Sequence, residues 1–131
     1  MATIRHLGSR EDEAAIGEVL LQLAKGYALK DAELVAAAYA EDADWSWADA
    51  GGGSVRCSGR LQILEALRER FAHSPQASDA GRDLPVRPRL RITFVGPDAA
   101  WVRSTHGVHR LQVLTRSEGH WRIVAELGTP A

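Results

Sequence analysis

The sequence predicts an α+β fold, in which a cone-shaped, curved antiparallel or mixed sheet wraps around three N-terminal helices and leaves a central pocket. Three observations lead there. Apolar residues recur at helical spacing early in the chain, and alternate at period two through its last third. At 131 residues the chain suits one domain, residues 1–131, with its core at about 11–130. No repeat or low-complexity tract interrupts it, and helices gathered before strands argue against a parallel βαβ fold.

The elements follow in order. Residues 1–8 read as a loose arm. Ser9 with Asp12 three residues on forms a capping-box-like start for a helix carrying Ile16, Val19, Leu20, Leu23, Ala24 and Tyr27. Asp31 caps a second, shorter helix carrying Leu34, Val35, Ala38 and Tyr39, which the acidic run Glu41-Asp42-Ala43-Asp44 stops, because carboxylates are unfavourable at a helix C-terminus. Asp44 to Asp49 alternates aromatic with small or polar residues and reads as a strand, with a turn at Gly51-Gly52-Gly53 and a return over Val55-Arg56-Cys57. Gly59 opens a third helix with Ile63, Leu64, Leu67 and Phe71 as its buried stripe. Residues 74–86 read as a loop. Strands follow from Leu90 to Val95, Ala99 to Val108, Arg110 to Arg116 and His120 to Leu127, with turns at Gly96-Pro97-Asp98 and Ser117-Glu118-Gly119. A strongly twisted sheet of this kind curls around the helices and leaves the wide end open for a small ligand.

Composition narrows the function classes. A formal net charge of −1 supplies no global positive field for nucleic acid or anionic lipid. Cys57 is the only cysteine, which excludes an intrachain disulfide; it reads as a small buried residue, although a helix start nearby favours a thiolate. The first residues lack the apolar run of a secretory signal, no stretch approaches the ~20 apolar residues of a membrane span, and the expected location is cytoplasmic. His106 and His109 stand three apart on strands and no paired metal motif occurs, so no metal or cofactor is expected. Arg87, Arg89 and Arg91 form a period-two stripe that reads as a solvated face.

The run Tyr39-Ala40-Glu41-Asp42-Ala43-Asp44-Trp45 resembles the helix-end motif of the nuclear-transport-factor-2-like superfamily. So do Ser58-Gly59-Arg60 before the third helix and Gly119-His120-Trp121-Arg122-Ile123 on the final strand. The close of the chain, Trp121 to Pro130, most resembles the SnoaL-like branch and its enediyne-pathway relatives. The resemblance covers about residues 11–130 and implies a homodimer. The fold hosts isomerases, cyclases, epoxide hydrolases, dehydratases and noncatalytic binders, so it does not fix a reaction.

Ketosteroid isomerases of this fold use a carboxylate base with a Tyr and a protonated Asp. The resemblance puts Trp47, Leu23 and Leu111 at those positions, so all three groups are missing. Asp49, two residues beyond Trp47, is a displaced base or a solvated turn aspartate. Epoxide hydrolases of the fold use an Arg and two carboxylates. The resemblance matches Arg103 to the Arg and Glu126 to one carboxylate, and puts uncharged Thr105 near the other. Arg103 and Glu126 are thus the leading catalytic pair, for anion stabilisation and proton transfer, or else a structural ion pair. His106 is a further acid/base candidate, since its ordinary pKa suits neutral pH. Tyr27, Trp47 and Trp45 are expected to shape the pocket, with Leu23, Phe71, Thr105, Leu111 and Val113 completing its lining. Trp121 and Ile123 are expected in the core.

The expected function is binding of a hydrophobic polyketide- or terpenoid-like small molecule. Cofactor-free cyclisation, isomerisation, dehydration or epoxide opening would follow. Loss of the isomerase groups also fits a noncatalytic sequestering module, and an exposed sheet face fits a dimerisation domain.

Overall fold

The structure is a computed structural model that describes residues 9–48, 53–73, 89–105 and 108–130. Among these, three helices precede or interrupt six strands: α1 (Arg10–Leu29), α2 (Ala32–Ala36), β1 (Tyr39–Ala48), β2 (Ser54–Ser58), α3 (Arg60–Ala72), β3 (Arg89–Gly96), β4 (Ala99–Thr105), β5 (Val108–Ser117) and β6 (His120–Pro130). The strands form one mixed sheet in the order β2-β1-β6-β5-β4-β3. All neighbours are antiparallel except β1 and β6, which run parallel. This is the α+β architecture expected, with the helices on the concave face.

The start of α1 is as the sequence implies. Ser9 Oγ accepts from the Asp12 N–H at 3.0 Å, and the Asp12 carboxylate reaches back to the Ser9 N–H, so two orphan donors are satisfied reciprocally. Asp12 also ties the helix to the sheet, accepting from Arg116 Nη1 at 2.8 Å and from the Trp121 indole at 3.3 Å. At its far end Lys30 adopts φ 54° and closes the last turn onto Gly26 and Tyr27. Gly26 is required because Val35 packs against its backbone where a Cβ would stand, which lets α2 turn back tightly on α1.

The second helix is shorter than expected. Asp31 caps it, accepting from the Leu34 N–H, but it ends at Ala36, and Tyr39 and the acidic run belong to β1. Helical spacing carried through Ala38 and Tyr39 only because those two side chains are buried by the sheet instead. The register between β1 and β6 slips between Tyr39 and Asp44. The Ser58-Gly59-Arg60 corner closes that slip: Arg60 Nε and Nη2 both donate to the Tyr39 carbonyl, at 2.9 and 2.7 Å, and the Gly59 N–H donates to the Ala43 carbonyl at 2.8 Å. Gly59 itself sits at φ 93°, where a side chain is strained.

A second irregularity matters more. On leaving the Ser117-Glu118-Gly119 turn, β5 and β6 pair as Leu114 with Ile123, then as Val113 with Ala125, which leaves Val124 as an extra residue in β6. Trp121 and Ile123 face the core before this bulge, and Glu126 and Gly128 face it afterwards. Ile16 and Leu23 of α1, Ile63 and Leu67 of α3, and Val102, Leu114 and Ile123 of the sheet meet in the core. Cys57 is buried at its edge, and burial pushes its thiol pKa up, in line with the expected inert small residue.

Desolvation alone would raise the Asp12 pKa, but its bonds to Trp121 and Ser9 and the nearby Arg116 charge hold it below the ordinary 3.8. A lowered folded-state pKa adds stability above the unfolded value that is lost as pH falls through the folded one. Asp12→Ala should therefore cost about 1–2 kcal/mol at neutral pH. The gap from wild type should narrow in urea titrations run below pH 3.8. A gap that is constant from pH 7 to pH 3 would contradict this role.

Candidate functional site

One cross-strand row runs across the core-facing side of the sheet: Ile92, Val102, Gln112, Glu126, Trp45 and Cys57, one residue from each strand. Its centre is a carboxylate, and Glu126 is 4% exposed. A buried carboxylate costs several kcal/mol unless its oxygens are all engaged. Here they are. Oε1 accepts from Tyr39 Oη at 2.6 Å and from Gln112 Nε2 at 2.7 Å; Oε2 accepts from the indole N–H groups of Trp45 at 2.7 Å and Trp47 at 2.8 Å. Four donors fill the roughly four lone-pair sites of a carboxylate. Burial and the adjoining Glu126 push the Tyr39 pKa well above the usual tyrosine range, so its hydroxyl stays a donor.

The next inward row, Leu90, Ser104, Arg110, Gly128, Trp47 and Val55, supplies the cation. Arg110 Nε stands 3.9 Å from Glu126 Oε2, an ion pair without a hydrogen bond. Its guanidinium carbon lies 5.0 Å from the Trp47 ring centroid and 5.5 Å from that of Tyr27. Burial alone would lower the Arg110 pKa, but Glu126, with the two tyrosines, raises it, so the charge is held. Trp47 can lie here because Gly128 has no side chain: a Cβ there would stand within 2.7 Å of three atoms of the indole. From α3, Arg70 approaches the same indole at 5.5 Å, and Phe71 meets Tyr27 edge-on with centroids 5.8 Å apart.

Two buried polar atoms among the described residues have no partner: Tyr27 Oη and Arg110 Nε. The Tyr27 ring is half-buried, yet its hydroxyl is sealed from solvent, and burial with the Glu126 charge pushes its pKa up to about 12. An unsatisfied buried hydroxyl costs about 1–3 kcal/mol, which a ligand oxygen would recover. At neutral pH the site therefore offers neutral and cationic donors in an aromatic setting, with its single carboxylate already saturated.

The expected site residues divide sharply. Glu126, Tyr27, Trp45 and Trp47 come together, with Phe71 beside them. Leu23 is buried in the core. Arg103 does not join Glu126. Val102 points inward, so its neighbour Arg103 points outward, is exposed, and lies over the Trp101 ring at 5.5 Å. Leu111 and Val113 flank inward-facing Gln112 and also lie on the outer face, where Leu111 is 37% exposed. Thr105 ends β4, and its side chain, like Asp49 and His106, lies outside the described residues. The arginine beside Glu126 is Arg110, and the position next to it holds the amide Gln112, which has no acidic proton to give. Tyr39, Arg110, Gln112, Gly128 and Arg70 were all missed from the sequence. The alternation of Arg110, Gln112 and Leu114 was the available signal for two of them.

A separate open groove of about 490 Å³ is lined by Leu29, Lys30, Asp31, Glu33, Arg68 and Phe71. Two of its charges pair at the surface, Arg68 to Glu33 at 2.7 Å, and it contains neither unpartnered atom, so it is not the candidate site. Among the described residues no cluster of three or more His, Cys, Asp or Glu side chains could hold a metal, and no helix is long and apolar enough to cross a membrane.

Replacing Glu126 with Gln turns two acceptor sites into donors facing indole N–H groups and strips Arg110 of its counter-ion. Glu126→Gln should cost about 3–5 kcal/mol in urea unfolding. It should also shift two indole N–H signals in the proton NMR spectrum. A variant as stable as wild type would show that the carboxylate is not the anchor.

No protein-family model matches the sequence, and no curated protein does. Solved structures do. A protein of unknown function from Methylobacillus flagellatus, described as NTF2-like, superposes with a TM-score of 0.74 at 20% identity, covering 95% of each chain. A protein from Novosphingobium aromaticivorans, provisionally named a scytalone dehydratase, gives 0.64 at 16% identity over 91% of this chain and 83% of that one. One from Xanthomonas campestris, provisionally named a calcium/calmodulin-dependent protein kinase II association domain, gives 0.64 at 13% identity over 95% and 89%. The chain has the nuclear-transport-factor-2-like fold.

Proposed function

We propose that the protein binds a flat, largely apolar small molecule against Trp47 and Tyr27 and polarises one of its oxygens through Tyr27 and Arg110. The observation that carries this is the Arg110 guanidinium, 5.0 Å from the Trp47 ring and 5.5 Å from the Tyr27 ring beside a saturated carboxylate; the Arg110 side chain keeps 20% of its surface open and stands next to the unpartnered Tyr27 hydroxyl. Preorganised donors aimed at a carbonyl or enol oxygen are what isomerisation, cyclisation or dehydration require. The fold shared with a protein named for a dehydratase is consistent with that chemistry. Opening an epoxide with two carboxylates is less well supported, because the described residues bring no second acid into the Glu126 cluster and its neighbour Gln112 is an amide. The SnoaL-like resemblance favours a polyketide- or terpenoid-like ligand, handled without a cofactor in the cytoplasm.

The neutral ketone 2-acetylnaphthalene is a suitable probe, read by quenching of tryptophan fluorescence. Tyr27→Phe should weaken binding about five- to tenfold while leaving the free protein as stable as wild type or more so, since an unsatisfied hydroxyl is removed. Gly128→Ala should abolish binding by displacing the Trp47 indole, and Arg103→Ala should leave it unchanged. A destabilised Tyr27→Phe variant with wild-type affinity would mean that the hydroxyl serves the core and not a ligand.

We also propose a homodimer through the outer face of the sheet. Leu111 and Leu127 are neighbours there, 37% and 51% exposed, in a row flanked by Arg103 and Ser46. Light scattering should give the dimer mass for wild type and the monomer mass for Leu127→Glu. A monomeric wild type would remove this part of the reading.

A further inference from the structure

The candidate site holds more positive charge than its one carboxylate can neutralise, and we infer that its ligand is an anion: a flat apolar molecule whose carboxylate is held by Arg110 inside and Arg70 at the rim. This rests on the reading above that the site takes a small molecule. Two guanidinium groups approach one indole, Arg110 at 5.0 Å and Arg70 at 5.5 Å from the Trp47 centroid. One is carried by the sheet and the other by the last turn of α3, so they reach the ring from different elements.

Glu126 is the only acidic group bonded into this cluster among the described residues, and its oxygens are taken by four uncharged donors. Arg110 gets Coulombic compensation from it at 3.9 Å but no hydrogen bond. Arg70 is exposed and forms no ion pair among the described residues. The local sum is two positive charges against one negative. A stacked guanidinium keeps its in-plane N–H groups free, and their fork matches a carboxylate. With Nε sealed, the ligand meets the Nη groups of Arg110, whose side chain keeps 20% of its surface open. The aromatic plates of Trp47 and Tyr27 set the second requirement, a planar apolar body attached to the acid.

The test compares naphthalene-2-carboxylate with the isosteric neutral naphthalene-2-carboxamide by titration of tryptophan fluorescence at low ionic strength. The carboxylate should bind at least tenfold tighter, with a preference that shrinks as salt is added. Arg110→Met should bring the ratio close to one. Because that variant removes a buried charge next to Glu126 and can fail to fold, Arg70→Gln at the exposed rim provides a second arm. It should lower the ratio severalfold. A wild-type ratio of one or less, or a ratio untouched by Arg70→Gln, would overturn the inference. Carboxamide binding without carboxylate preference would sink only this inference. Absence of binding by either probe would sink it together with the small-molecule reading.

Discussion

The arrangement of this protein depends on a buried carboxylate that never has to stand alone. Glu126 accepts from β1 three times and from β5 once, while itself lying on β6. Those contacts specify two registers at once, β1 on β6 and β5 on β6. β1 is the parallel neighbour of β6, the pairing that local turns do least to fix, and three of its side chains donate to Glu126. A charged group here is poor evidence of added stability, because desolvation offsets much of its attraction. Its clearer effect is on specificity: sliding any of the three strands by one residue would strand a charge or an indole N–H in the core.

Much of the fold was legible. The Ser9–Asp12 box, the Asp31 cap, the glycine before α3 and the two late turns mark element ends through local chemistry, which sequence carries directly. Tyr39 was not legible as a strand residue, because a buried face reached by helical spacing and one reached by pleating look alike over four positions. Glu126 shows the deeper difficulty. Trp121, Ile123, Ala125 and Leu127 alternate perfectly, which puts Leu127 inside and Glu126 in water. The extra residue Val124 reverses that parity, so Leu127 is 51% exposed and Glu126 is buried. Only family resemblance pointed to Glu126 from the sequence. That resemblance pointed to Arg103, which faces outward on β4, because matching by count along a strand takes no account of which face a residue occupies.

The site's chemistry follows from what its polar groups have left to give. The carboxylate of Glu126 has its oxygens taken by four donors, and it fixes the indole of Trp47 in place beside Arg110. A tyrosine with its pKa at about 12 and an arginine between aromatic rings remain as donors. Such groups stabilise negative charge on a guest oxygen without reorganising when that charge develops. On the proposed reading, the interior serves electrostatic stabilisation better than base-first chemistry.

Helix α3 is held very unevenly at its two ends. Its first residue is clamped by two bonds from Arg60 to the Tyr39 carbonyl, and the Gln62 side chain accepts from the Ser58 N–H at 2.9 Å. Its last turn bears Arg70 and Phe71, which meet Trp47 of β1 and Tyr27 of α1 through their rings, and an exposed ion pair from Arg68 to Glu33 of α2 is the polar tie at that end among the described residues. Thirteen residues make a rod of about 20 Å, so pivoting it by some three degrees at the clamp swings the far end by roughly 1 Å. The fold thereby contains a lever rooted in the strand that carries Trp47, and its far end moves Arg70 and Phe71 relative to the Trp47 and Tyr27 rings.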